Sequence, residues 1–147
     1  MKFFSFLIAG SLLLGSAVVW ETDFEKAKDR AAAEGKFILV NFSGSDWCVP
    51  CINLRREIFE SEIFKNHAQE NLVLVNADFP RLKKNQLSKQ QQKKNDFLAE
   101  QYDPQGHFPY TVLLDKEGKV VHSWDGFPNI SAEQFITQLK AFTNANN

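Results

Sequence analysis

Two short runs of apolar residues constrain the fold of this chain more than any other feature. The runs are Phe37 to Phe42 and Leu72 to Ala77, and turn or polar residues bound both of them. A short apolar run without polar alternation is typical of a central strand that is covered on both faces. Helices must then lie on either side of the sheet, so the sequence predicts a layered α/β fold.

The other predicted elements alternate in type along the chain. Helices are predicted where apolar residues recur at helical spacing behind a capping side chain, and strands where apolar runs end at turn residues. The order predicts one domain with a mixed sheet and helices on both faces. The predicted elements are helices at 22–34, 48–60 and 131–142, a continuation or second helix at 61–69, and strands at 110–114 and 119–124 joined by a tight turn.

A long polar segment follows the second buried run. From Arg81 to Lys94 it contains six basic residues and no acidic residue. Apolar periodicity returns only at Phe97, Leu98 and Tyr102, so we predict a solvated helix that packs at its C-terminal end alone. The basic residues form either an ordinary solvated face or a surface that attracts an acidic partner, whose binding would weaken with added salt.

Composition limits the size of the protein and the nature of its partners. The chain has 147 residues, 44% of them hydrophobic, which is enough for one core. Its formal net charge is -1. The overall charge therefore gives no reason to expect nucleic acid or an anionic membrane surface as a partner.

The first 17 residues have the layout of a secretory signal peptide. Lys2 is followed by the apolar run from Phe3 to Leu14 and by small residues at 15–17. The run is shorter than the ~20 residues of a membrane-spanning helix. We therefore predict an exported protein with a signal peptide at 1–17 and one domain at 18–147. An uncleaved leader that tethers the domain to the membrane is the alternative.

The chain has only two cysteines, Cys48 and Cys51, and they stand at the start of a predicted helix. Export places them where disulfides persist, yet two cysteines cannot form a structural framework. A bond between them closes too small a loop to constrain the unfolded chain much. The pair is therefore predicted to function by opening and closing its disulfide, with no other cofactor.

The segment around the cysteine pair carries a specific pattern of residues. It runs from Phe42 to Cys51 with Gly-Ser-Asp-Trp-Cys in its middle, and Phe108-Pro109-Tyr110-Thr111 follows later in the chain. These segments resemble the active-site strand and the cis-proline loop of the thioredoxin superfamily, and the likeness extends from Trp20 to Phe142. With Asp78-Phe79-Pro80, the sequence is most similar to exported, periplasmic bacterial disulfide reductases and isomerases. The resemblance implies a thioredoxin fold with the polar segment as a helical insertion before the cis-proline loop.

Each cysteine of the pair has an expected role. A thiolate is the attacking species in disulfide exchange, and a helix N-terminus favours the ionised form. Cys48 stands at that terminus and is expected to be the approachable nucleophile. Cys51 lies one turn further in and is expected to be shielded, so that it resolves the mixed disulfide from inside and releases the substrate.

The residues between the cysteines bear on the direction of electron flow. Val49 and Pro50 provide no histidine or cation to stabilise the Cys48 thiolate, unlike the corresponding pairs of strong oxidants in this superfamily. The proline instead resembles that of the reducing thioredoxins. We predict a reductase or isomerase of protein disulfides rather than a primary oxidant.

Five residues are predicted to bind substrate: Trp47, Val49, Pro50, Phe108 and Pro109. Trp47 is expected to be partly exposed beside the site. A cis bond before Pro109 would allow the Phe108 backbone to pair with an extended peptide, whereas a trans proline would merely open a strand. The expected partners are proteins with cysteines or disulfides and an upstream electron donor, such as a membrane thiol reductase. The protein is expected to be a monomer.

Asn41 and His107 are candidate tuning residues. Thioredoxins usually have a buried aspartate and a neighbouring lysine, which fall here at Asn41 and about Leu74. An amide cannot accept a proton near neutral pH, so general-base help must come from water or another group. His107 either tunes Cys48 or contacts substrate, or it is an ordinary exposed loop histidine. Asp46 is expected to cap the active-site helix through its carboxylate.

Two other classes of function are alternatives. Cys48, Cys51 and His107 could bind copper or zinc, although the one methionine is Met1 and the chain has no second cysteine pair. No metal is predicted on these grounds. A non-catalytic chaperone or adhesion domain could use the same scaffold, but it would not require two cysteines at a helix start.

Overall fold

The computed structural model describes residues 17–147, so the predicted signal peptide lies outside the described residues except for Ala17. Within these residues, five strands form one mixed sheet in the order β1-β3-β2-β4-β5. Its centre is β2, which is parallel to β3 and antiparallel to β4. The strands are β1 (Trp20–Glu21), β2 (Phe37–Ser43), β3 (Leu72–Asp78), β4 (Tyr110–Leu114) and β5 (Val120–Asp125).

Both faces of the central strand are covered, as the apolar run predicts. All seven residues of β2 are buried. Ile38, Val40 and Phe42 pack in one core cluster, whereas Leu39 packs in the other. The sheet therefore separates two cores, and the predicted α/β layering is confirmed.

The helices begin and end at local sequence signals. Asp23 accepts a hydrogen bond from Lys26 N at the start of the first helix, and Gly35, with φ of 64°, ends it. Ser131 and Gln134 form a capping box at the start of the last helix. The helices are α1 (Phe24–Glu34), α2 (Val49–Leu54), α3 (Glu62–Asn71), α4 (Lys89–Tyr102) and α5 (Ala132–Ala145).

The single helix expected from Cys48 to Glu60 is interrupted. After α2 the chain makes a π-helical turn, Arg55–Phe59, in which Glu60 N donates to Arg55 O. The wider turn carries Ile58 and Phe59 together into the core. A new helix, α3, then starts behind Ser61, which resolves the alternative left open for that segment.

The polar segment contains less helix than predicted. Only a short 3₁₀ turn, Lys83–Asn85, precedes α4, which starts at Lys89 behind the cap Ser88. The expected packing of Phe97 is wrong, because its side chain is 67% exposed. Asn95 and Leu98 are the buried residues of α4 instead. They lie three residues apart, so one helix face carries them and Phe97 falls off that face.

Strand β1 is an addition to the predicted elements. Trp20 and Glu21 pair in parallel with Leu74 and Val75 at the edge of the sheet. Two residues are too short for a periodic signal. Within residues 17–147, no helix is both long and apolar enough to cross a membrane.

Candidate active site

The two cysteines lie just beyond the carboxyl end of β2, where α2 begins. They are joined by a disulfide, with their Cα atoms 5.2 Å apart. Cys48 is the N-cap residue of α2, and its Sγ accepts a hydrogen bond from Cys51 N at 3.2 Å. Gly44 N donates to the Sγ of Cys51 at 3.5 Å. The backbone therefore presents an amide donor to each sulfur.

Burial does not distinguish the two sulfurs in this oxidised form. Cys48 is 4% exposed and Cys51 is 3% exposed. The expected contrast between an approachable and a shielded cysteine is therefore absent from the disulfide form. What differs is position, since Cys48 caps the helix and Cys51 lies within its first turn. Val49 and Pro50 between them are exposed.

An aromatic cluster borders the cysteines. Trp47 is half-buried, as expected, and its Nε1 donates to Phe79 O at 2.8 Å. The ring of Phe108 lies 5.4 Å from that of Trp47 and 5.4 Å from that of Phe79. Gly44 is required beneath this cluster, because a Cβ there would overlap the indole of Trp47.

The loop after β3 contributes two site residues that the sequence interpretation missed. Phe79 joins the aromatic cluster, and the Arg81 guanidinium lies over the Trp47 ring with Cζ 3.6 Å from its centroid. The order of the predicted strands could have indicated that these two residues lie near the cysteines. The carboxyl ends of parallel strands meet at one edge of a sheet, so the residues that follow β3 come close to those that follow β2.

The expected cap at Asp46 is wrong, and Cys48 occupies that position. The Asp46 carboxylate instead accepts hydrogen bonds from Arg81 N at 2.9 Å, Leu82 N at 3.0 Å and Asn85 Nδ2 at 3.0 Å. Its pKa is lowered, chiefly by the bond from the Arg81 backbone. Asp46 therefore joins the loop after β3 to the active-site loop by hydrogen bonds. A long-range contact of this kind cannot be predicted from the local sequence.

The predicted cis bond between Phe108 and Pro109 is present. Pro109 is buried, and its carbonyl accepts a hydrogen bond from Gly126 N at 2.9 Å. The ring contacts of Phe108 with Trp47 and Phe79 place this loop beside the cysteine pair. The residues predicted to bind substrate therefore lie together around one site.

His107 lies between two carboxylates. Its Nδ1 is 3.5 Å from Asp125 Oδ2 and 4.0 Å from Asp103 Oδ1, and its backbone N donates to Asp103 Oδ1 at 3.0 Å. Burial raises the pKa of Asp103, whose other carboxylate oxygen has no hydrogen-bond partner among the described residues. The His107 ring also packs against Tyr110. A role for His107 in tuning Cys48 stays a prediction.

Asn41 is buried in the sheet, but its neighbour is not Leu74. In the β2–β3 pair Asn41 lies opposite Asn76, and Leu74 lies opposite Leu39 within the core. Asn41 Nδ2 donates to Asn76 Oδ1 at 3.4 Å, and its own Oδ1 accepts from Thr111 Oγ1 at 3.3 Å. The polar pair on these strands is therefore two amides.

Asn76 contacts Asn41 and lines a pocket together with Cys51. Two surface pockets of about 340 and 290 Å³ share Arg55, Glu60 and Asn76 in their walls, and Asn41 lines the first of them while Cys51 lines the second. Solvent can thus approach the Cys51 side of the disulfide through polar walls. Within the described residues, no group of three His, Cys, Asp or Glu side chains is placed to hold a metal ion together.

Comparison with known proteins identifies the family. A protein-family model described as "Thioredoxin-like" matches residues 19–116, two thirds of the chain. The chain belongs to the thioredoxin-like family. It is 34% identical over 122 residues to the Disulfide bond reductase DsbH of Chlamydia pneumoniae, a match that covers 83% of this chain and 70% of that protein.

Two further comparisons agree. The solved structure of a DsbH oxidoreductase superimposes with a TM-score of 0.78 and 31% identity, covering 86% of this chain and 85% of that one. The Thioredoxin-related protein DsbJ of Chlamydia pneumoniae is 28% identical over 77% of this chain, but the match spans only 32% of DsbJ. This thioredoxin-like chain is a thiol-disulfide oxidoreductase, with Cys48 and Cys51 as its disulfide-forming pair.

Proposed function

We propose that this protein reduces disulfides in exported proteins, with Cys48 as the nucleophile and Cys51 as the resolving cysteine. The observation that carries the proposal is the Cys48–Cys51 disulfide at the start of α2, with the Cys51 amide donating to the Cys48 sulfur. An amide that donates to a sulfur favours its ionised form, which is the attacking species. The similarity to a protein described as a disulfide bond reductase supports the same direction.

The reaction consists of two exchanges. In the reduced protein the Cys48 thiolate attacks one sulfur of the substrate disulfide, which breaks that bond and releases one substrate thiolate to take up a proton. The Cys51 thiolate then attacks the Cys48 sulfur of the mixed disulfide and releases the second substrate thiolate. The substrate gains two electrons and two protons, and the cysteine pair is oxidised. A thiol donor returns the two electrons.

The proton acceptor for Cys51 is water or a group in the polar pocket. Asn41 and Asn76 present amides, which do not accept protons near neutral pH. The pocket that Cys51 lines is also lined by Glu60, whose carboxylate forms a 2.8 Å ion pair with Arg55, another lining residue. General-base help therefore does not come from the strand residue itself, as the sequence already suggests.

The residues between the cysteines support the proposed direction of electron flow. A strongly oxidising pair is one whose reduced form is stabilised. Val49 is 64% exposed, and the side chains of Val49 and Pro50 are both apolar, so neither side chain adds a charge or a hydrogen-bond donor beside Cys48. We therefore propose a reductase or isomerase rather than a primary oxidant.

The exposed surface around the cysteine pair, which would bind the substrate, is apolar. Val49 and Pro50 lie on its open side, and the aromatic cluster of Trp47, Phe79 and Phe108 lines the other. An extended peptide would pair with the backbone of the cis-proline loop and place its disulfide over Cys48. The proposed setting is the periplasm, reached through the predicted signal peptide, with a membrane thiol reductase as electron donor and the protein acting as a monomer.

Reduction of insulin by dithiothreitol tests the proposed function. We expect micromolar protein to shorten the lag before the insulin B chain precipitates, because the Cys48 thiolate reacts with protein disulfides faster than the small dithiol does. A parallel assay with scrambled ribonuclease separates an isomerase, which restores activity, from a reductase alone. A lag equal to that of dithiothreitol by itself would contradict the proposal.

A further inference from the structure

The basic segment, residues 81–94, stands out from the rest of the molecule by its charge. Six of the 17 basic residues of the chain fall within it, and none of the 18 acidic residues does. The remaining residues therefore carry an excess of seven acidic side chains. The segment is therefore basic, whereas the rest of the sequence is acidic on balance.

Most of these cations have no carboxylate partner. Lys94 forms a 2.6 Å ion pair with Asp23. No carboxylate of residues 17–147 lies within 4.0 Å of the other five basic groups, and all five residues are exposed: Arg81, Lys83, Lys84, Lys89 and Lys93. Their field is therefore directed into solvent and remains available to a partner.

The cationic segment is fixed beside the active site. Its first residue, Arg81, lies on the Trp47 ring, next to Cys48 in the chain. The Asp46 carboxylate holds the backbone of Arg81 and Leu82 and the side chain of Asn85. The 3₁₀ turn with Lys83 and Lys84 lies between these anchors. A ligand that binds these lysines is thus close to the aromatic cluster that borders the disulfide.

We propose that residues 81–94 dock an acidic stretch of the substrate protein near the disulfide to be reduced. This inference rests on the proposed function and adds the substrate class. A protein segment fits the position better than a membrane or a nucleic acid does. A membrane or a nucleic acid bound to this segment would also cover Trp47 and Phe108. A short acidic segment of the substrate protein would leave these two side chains free to contact the substrate near its disulfide.

The expected contribution is to the rate of encounter. Charges on the surface act over a Debye length of about 10 Å at an ionic strength of about 0.1 M. A cluster of one sign beside a reactive site raises association rates by about 10-fold or more, and salt removes the effect. The preference should therefore be strong at low salt and nearly absent at high salt.

Three synthetic peptides provide the test. Each contains the same two cysteines in an intramolecular disulfide and differs only in flanking residues, which are acidic, neutral or basic. The second-order rate of reduction by the reduced protein is measured in about 20 mM and about 500 mM NaCl. We expect the acidic peptide to react about 10-fold faster than the neutral one at low salt and less than about twofold faster at high salt. The basic peptide should react more slowly than the neutral one.

A pair of double variants assigns the effect to the segment. Lys83→Gln with Lys84→Gln removes two charges from it, and Lys116→Gln with Lys119→Gln removes two exposed charges from the β4–β5 turn at the opposite end of the sheet. The first variant should lose more than half of the preference for the acidic peptide and keep its rate with the neutral peptide. The second should retain the preference.

The outcomes separate this inference from the proposed function. Equal rates for all three peptides, or an equal loss of the preference for the acidic peptide in both double variants, would overturn the docking proposal. Reduction of the neutral peptide would still support the proposed function. If the neutral peptide is not reduced at all, both proposals fall. The protein could instead bind vesicles of anionic phospholipid, lose that binding when Lys83 and Lys84 are changed, and show no preference among the peptides. That result would assign the segment to a membrane and would also overturn the docking proposal.

Discussion

Replacing Cys48 with serine is expected to reduce the rate of insulin reduction to that of dithiothreitol alone. A serine hydroxyl does not form the anion that attacks a disulfide near neutral pH, so the first exchange cannot begin. The fold should persist, because the substitution is close in volume and the Cys48–Cys51 loop is too short to stabilise the protein much. Circular dichroism and thermal unfolding of the reduced proteins provide the control.

Replacing Cys51 with serine gives a different and complementary result. The Cys48 thiolate can still attack, but no internal thiolate resolves the product, so a mixed disulfide with the substrate accumulates. Mass spectrometry of the reaction should show one substrate chain attached to Cys48, released again by excess dithiothreitol. If the trapped complex formed instead on Cys51 in the Cys48→Ser variant, the two roles would be reversed.

Asn41→Asp is expected to raise the rate of the second exchange by about 10-fold or more, since a positioned general base typically contributes this much or more. Asn41 is buried, and it contacts Asn76, which lines the polar pocket on the Cys51 side. The rate is measured by following release of the substrate thiol from a preformed mixed disulfide on Cys48. Asn41→Leu, which is similar in size but has no base, is the matched control.

The same change should destabilise the protein in a pH-dependent way. A carboxylate at position 41 faces Asn76 Oδ1 and lacks the water it would have in the unfolded chain, a cost of about 1–3 kcal/mol. Burial raises the pKa of this new aspartate in the folded state. The cost is therefore small below about pH 4 and grows as the pH rises through the raised folded pKa. Urea unfolding across this range measures it, and an unchanged resolution rate would refute a general-base role.

The parts of the fold that could be predicted are those set by local signals. The apolar runs of β2 and β3, the helices that begin behind a capping side chain, and the Phe108-Pro109 loop each require only a few neighbouring residues. For the same reason the sequence alone predicts the cysteine pair at a helix start, where the structure places it.

Contacts between distant segments could not be predicted in the same way. The register between two parallel buried strands cannot be determined from the sequence of either strand. Leu74 was therefore expected beside Asn41, whereas the structure places Asn76 there. Asp46 binds backbone groups 35 and 36 residues away, although its position near a helix start favours a local cap. The packing of Arg81 on Trp47 likewise depends on where two loops meet.

Equilibration of the Cys48–Cys51 pair with glutathione tests the central claim most directly. The fraction of reduced protein, measured by alkylation and mass spectrometry over a range of glutathione ratios, gives the reduction potential of the pair. With Val49 and Pro50 between the cysteines, we predict a value nearer to the about -270 mV of thioredoxin than to the about -120 mV of a strong oxidant. A potential close to the latter would show that the pair accepts electrons from its substrates and would contradict the assignment as a reductase.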